Sequence, residues 1–148
     1  MNRTEIIKQL KEFFDIDELV CNHTLAKWGE QSWQFLRTEY LADLLVIRRD
    51  IVKKPMFCND KNHHQKGLRC NRCDLVRTKQ VVYLSSHILG CAGDFTSPNY
   101  AAEQMRQLIK DNVALLPYPC RIEGGVSWLH IDTLPQYGIT DKVYEFKG

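Results

Sequence analysis

The sequence predicts an α+β fold, a small antiparallel sheet with helices packed on it. Three observations carry that expectation. Apolar residues recur at helical spacing through the first third of the chain. Short runs rich in β-branched residues, bounded by Gly and Pro, follow later. And 148 residues, 44% of them hydrophobic, suffice for a single domain (1–148) whose core needs no disulfide support.

The elements follow in order. Thr4 is the expected N-cap of a first helix, with Ile6, Ile7, Leu10, Phe13 and Phe14 at helical spacing. Asn22 to Trp28 reads as a loop. A longer helix is expected from about Ser32 to Val52, with Trp33, Leu36, Tyr40, Leu41, Leu44, Leu45 and Val52 on its buried face. Pro55 ends it, and Met56 to Cys58 reads as a short buried strand. Asn59 to Thr78 is polar, basic and irregular. Gln80 to Leu84 reads as a second strand. Ser97-Pro98 has the form of a helix start, and the helix carries Ala101, Met105, Leu108 and Ile109 to about Asn112. Cys120 to Glu123 and Val126 to Asp132 form the expected hairpin, with Gly124-Gly125 as its two-residue turn.

Charge and composition exclude several classes. A net charge of +2 suits an anionic surface such as a cell wall but is too small to argue for nucleic acid. The N-terminal stretch is charged and lacks the apolar run of a signal peptide. No stretch is apolar enough to span a membrane. The expectation is cytoplasmic synthesis, with action on the wall only after release or export. The cysteines are Cys21, Cys58, Cys70, Cys73, Cys91 and Cys120. Without an export signal they read as thiols or metal ligands.

Two stretches carry chemistry: Ser85-Ser86-His87-Ile88-Leu89-Gly90-Cys91-Ala92-Gly93-Asp94, and Ser127-Trp128-Leu129-His130-Ile131-Asp132. His87 and Asp94 are seven apart with two glycines between them, which suits a turn that returns both side chains to one point. His130 arrives from a strand, with Trp128 and Asp132 on its face. Two imidazoles and one carboxylate make a three-ligand set, which leaves a fourth tetrahedral position for water on zinc.

The pattern Ser85-x-His87-x-x-Gly90-x-Ala92-x-Asp94, followed by Trp128-x-His130, resembles the LAS group of zinc peptidases. That group includes D-Ala-D-Ala carboxypeptidases, L-alanyl-D-glutamate endopeptidases of phage lysins, and the hedgehog signalling domain. Gly67-Leu68-Arg69-Cys70-Asn71 is similar to the group's arginine-bearing segment. The resemblance spans most of the chain and is nearest to small phage- and bacteria-encoded members. It implies a hedgehog or D,D-peptidase-like fold, with His87, Asp94 and His130 as ligands of one catalytic zinc. Arg69 would bind a substrate carboxylate or the developing oxyanion, with Ser85 and Trp128 beside it on the substrate. The implied activity is cleavage of peptidoglycan stem peptides by a monomer, in the setting of an endolysin.

The general base is less determined. Relatives often place a carboxylate three residues before the last histidine, where this chain has Ser127. Hedgehog-like relatives carry a glutamate farther upstream, which Glu123 resembles. A tight Gly124-Gly125 turn would leave Glu123 about 13 Å from His130, at ~3.3 Å per residue. Asp132, about 6–7 Å along the strand, is the alternative base or else a partner that orients the histidine.

Cys58, His63, Cys70 and Cys73 form a second candidate set, a closed structural zinc site. Two rival functions stand beside the peptidase: a non-catalytic zinc-binding interaction domain of the same fold, and a zinc-stapled nucleic-acid-binding module built on Arg69, Arg72, Arg77 and Lys79.

Overall fold

Asn2 opens the first helix. Its side-chain oxygen accepts the Glu5 amide at 3.0 Å, and the Glu5 carboxylate accepts the Asn2 amide at 3.0 Å. This reciprocal cap satisfies two otherwise unpaired donors, so α1 (Arg3–Leu10) starts ahead of the expected Thr4 cap. The computed structural model, which describes residues 1–148, continues with α2 (Ile16–Leu19) and α3 (Asn22–Trp28). The third helix replaces an expected loop. Thr24 is its one buried residue, so it shows no apolar stripe, and Gly29 at φ 54° stops it.

The long second helix divides into three. A 3₁₀ segment (Gly29–Phe35) ends at extended Leu36, α4 (Thr38–Val46) follows, and a π-helical turn (Ile47–Val52) finishes at left-handed Lys53. The whole expected stripe is buried. The break has a tertiary cause. Arg37 donates its amide to the Gly90 carbonyl at 2.9 Å and its Nε to the Leu89 carbonyl at 3.0 Å. Gly90 lies at φ 71°, and a Cβ there would meet the Phe35 carbonyl at 2.0 Å, so only glycine allows this approach.

After α5 (Asp74–Arg77), the sheet comprises β1 (Ala92–Phe95), β2 (Cys120–Gly124), β3 (Leu129–Asp132) and β4 (Val143–Lys147), in the order β1-β3-β2-β4. The sheet was expected to be antiparallel, but β4 runs parallel to β2, so the sheet is mixed. The expected strand at residues 80–84 is absent: Val81, Val82 and Leu84 are largely exposed and pair with nothing. Residues 56–58 supply only one bridge, Phe57 to Thr96. Ser97 caps a local turn, and α6 (Ala102–Asp111) begins later, where Gln104 Oε1 accepts the Ala101 amide at 2.8 Å.

Strand alternation divides the sheet's two faces. Phe95, Ile122, Leu129 and Ile131 join Leu10, Phe14, Leu41, Leu44, Met105 and Ile109 in one continuous core. Asp94, Arg121, His130 and Asp132 alternate with them, so the opposite face carries the polar cluster. No helix is long and apolar enough to cross a membrane.

Candidate metal centres

Register brings the first cluster together. Asp94 on β1 is the direct partner of His130 on β3. The turn at residues 86–90 then delivers His87, closed by the Ile88 and Leu89 amides on the Ser85 carbonyl. His87 Nε2 lies 3.4 Å from Asp94 Oδ2, and His130 Nδ1 lies 2.7 Å from Asp94 Oδ1. The donor atoms of the three residues all fall within 4.8 Å of one another, and both imidazoles are buried. Zinc bonds of about 2.0–2.1 Å set tetrahedral donors roughly 3.3 Å apart, so the His87–Asp94 spacing fits an ion.

Each histidine has its other nitrogen engaged. His87 Nδ1 donates to the Gly67 carbonyl at 2.9 Å. His130 Nε2 donates to Asp132 Oδ2 at 2.6 Å. In both rings the remaining nitrogen faces Asp94, and on His130 it is hydrogen-bonded to Oδ1. Burial alone would raise the Asp94 carboxyl, but hydrogen bonds with His130 and His87 outweigh it and hold the group well below the usual carboxylate range. Burial likewise opposes charge on His130, yet Asp132 and Asp94 lift it to about 9.

Asp132 is wholly buried. Both its oxygens receive Arg121, at 2.8 and 2.9 Å, and Oδ1 also accepts the Leu134 amide at 3.0 Å. Burial acts to raise its carboxyl, and His130 and Arg121 overcome that and lower it. A carboxylate saturated in this way orients His130 and does not collect a proton from water. Of the two roles expected for Asp132, this geometry favours the orienting one.

The connection between β2 and β3 is wider than the expected two-residue turn. The loop spans residues 125–128, so β2 and β3 pair Arg121 with Asp132 and Ile122 with Ile131. The paired register ends there, and the Glu123 carboxylate lies against the C-terminal Gly148. Arg106 holds the loop open. Buried on α6, it donates to the carbonyls of Glu123, Val126 and Trp128 at 3.0–3.1 Å. The sequence reading missed this residue, because a lone arginine on an amphipathic helix reads as surface.

Arg69 borders the cluster, with Nη2 3.8 Å from Asp94 Oδ2 and its amide on the His87 carbonyl at 3.3 Å. Ser85 is half-buried and its hydroxyl accepts the Ile88 amide at 3.3 Å, which shapes the turn. Trp128 is exposed at the loop's end.

A second cluster joins Cys21, His23, Cys70 and Cys73, again within 4.8 Å of one another. It can hold a metal ion, and it differs from the expected set in two members. Cys58 is buried elsewhere, where loss of solvation pushes its thiol far up. His63 lies on the surface against Asp60, at 3.1 Å. Cys21 and His23 stand far from Cys70 in sequence, so no local spacing connects them. A parallel bridge between Val20 and Leu68 makes the connection.

Comparison with models of protein families, with curated proteins and with solved structures gives no match.

Proposed function

We propose that the chain is a zinc-dependent peptidase acting on peptidoglycan stem peptides, as a D,D-carboxypeptidase or an endopeptidase of the endolysin kind, with a hedgehog or D,D-peptidase-like fold. One observation carries the metal reading: two buried histidines have opposite nitrogens tied to other acceptors and turn their remaining nitrogens to a single carboxylate. The sequence pattern from Ser85 to Asp94 and at Trp128-x-His130 supports the choice of reaction.

His87, Asp94 and His130 would hold the zinc ion, which would supply Lewis acidity for a scissile carbonyl and for water. The chain's own residues do the rest. Asp132, pinned by Arg121, keeps the proton on His130 Nε2, so Nδ1 is the ligating atom. The Gly67 carbonyl does the same for His87 in the opposite sense. Glu123, one residue beyond the last β2–β3 pair, would take the proton from the attacking water and return it to the leaving amine. Arg69, beside Asp94, pairs with the substrate carboxylate or the developing oxyanion through its planar fork.

The test is hydrolysis of a synthetic stem pentapeptide by the zinc-loaded chain. Glu123→Gln is expected to keep the metal and lose about 10²–10⁴-fold in turnover. A wild-type chain that binds zinc at these three residues and cleaves no stem peptide would instead be a zinc-binding interaction domain.

A further inference from the structure

The thiol cluster has no part in the chemistry above, yet its donor set is complete. Three cysteines and one histidine are a closed tetrahedral complement for zinc, with no position left for substrate. Cys21 and Cys73 are fully buried, Cys70 is half-buried, and all three are free thiols. Cys73 Sγ lies 3.8 Å from His23 Nδ1. Zinc–sulfur and zinc–nitrogen bonds of about 2.3 and 2.0–2.1 Å put tetrahedral donors roughly 3.6 Å apart. Cys70 Sγ also accepts the Arg72 amide at 3.4 Å. Three thiolates and one zinc ion sum to a single negative charge, and Lys27 and Arg72 line the same hollow as His23 and Cys70.

The cluster also occupies a useful place. Residues 67–70 leave it and run directly to the open centre. The Cys21 amide donates to the Leu68 carbonyl at 3.0 Å, and the Leu68 amide to the Leu19 carbonyl at 2.9 Å. Gly67 lies so close that a Cβ would meet the Leu19 carbonyl at 2.2 Å. That same Gly67 fixes His87, and Arg69 follows two residues later.

We propose that Cys21, His23, Cys70 and Cys73 bind a structural zinc ion that clamps the Gly67–Arg69 strap to the start of α3 and so positions the strap's contacts with His87 and Asp94. The clamp stands on the thiol geometry alone. Only its value to the open centre rests on the peptidase reading.

Cobalt(II) substitution tests it, because thiolate ligation produces an intense near-ultraviolet charge-transfer band that a site of imidazole and carboxylate does not. The cobalt-loaded wild type is expected to show the band. His130→Ala should lose one of two metal ions per chain and keep the band unchanged. Cys73→Ser should lose the band and the other ion, and its Leu68 and Arg69 amides should exchange faster with deuterium. His23→Cys, which leaves four thiolates, and Cys58→Ser, which touches a cysteine outside the cluster, should both retain the band. The wild-type spectrum decides even where Cys73→Ser does not fold. No thiolate band in the wild type, loss of the band in Cys58→Ser, or a disulfide among the three cysteines in the purified protein would overturn the proposal. Failure of the peptidase reading has another signature: His130→Ala would lose no metal while the band stayed in place.

Discussion

The two clusters hold their donors in opposite ways. The His87–Asp94–His130 centre stands on strands, and its register is enforced by hydrogen-bonded pairing of β1 with β3. The thiol cluster takes Cys21 and His23 from the start of α3 and Cys70 and Cys73 from a turn, joined by one bridge between Val20 and Leu68. The first is preorganised by the sheet and by Asp132, Arg121 and Gly67, so three ligands suffice. The second has no such scaffold, and four ligands must supply the order themselves. An open centre therefore depends on the residues around it, whereas a closed one depends chiefly on its own donors.

That contrast can be broken at its strongest point. Asp94→Ala removes the one carboxylate that both histidines face. It should abolish metal binding at the open centre and lower stem-peptide cleavage by at least about 10³-fold, while the cobalt–thiolate band persists. Loss of both signals together would show that the two clusters do not fold independently.

Arg106→Ala should come next in size. It leaves the carbonyls of Glu123, Val126 and Trp128 without their buried donor. About 3 kcal/mol of stability should be lost, measured by urea unfolding. The open centre should weaken with its loop, and the thiol cluster should not. Equal damage to both would place Arg106 in the general core and not in the support of one site.

Asp132→Asn is more local. It keeps the shape but weakens the hold on the His130 tautomer, so zinc affinity at the open centre should fall about 10–100-fold with the fold intact. Competition against a chelator measures this. An unchanged affinity would remove Asp132 from the support of the site.

Asp43 offers a change remote from both clusters. Its Oδ1 accepts the Tyr118 amide at 2.9 Å, while its Oδ2 is buried with no partner. Burial pushes its carboxyl from 3.8 to about 7, and the Tyr118 hydrogen bond only partly offsets this. Between these values the folded chain binds more protons than the unfolded chain. Stability from this group therefore falls as pH rises from about 4 to 7, by on the order of 4 kcal/mol at most. Asp43→Asn should unfold later than wild type at pH 8, by about 2 kcal/mol once its own unpaired amide N–H is counted, and should show little advantage at pH 4. Neither metal centre should respond.

Much of this was legible in the sequence, and the failures have causes. The stripe from Trp33 to Val52 marked its buried residues correctly, because periodicity reports burial. It missed the break at Leu36, which exists because Arg37 must reach Gly90 and Leu89. The three residues of the open centre stood in a dense pattern of glycines and histidines. Half of the thiol cluster was visible as Cys70-x-x-Cys73. The other half, Cys21 and His23, depended on a tertiary bridge that no spacing announces. β4 went unread although the Gly138 turn precedes it and Tyr144 to Lys147 alternate, because its pairing with β2 is a long-range parallel one.

The most direct measurement is a crystal structure of the zinc-soaked chain with anomalous data at the zinc edge. The account predicts two peaks, one between His87 Nε2, Asp94 and His130 Nδ1, the other among Cys21, His23, Cys70 and Cys73. A map with no peak at the first position, and His130 still bonded directly to Asp94, would contradict it.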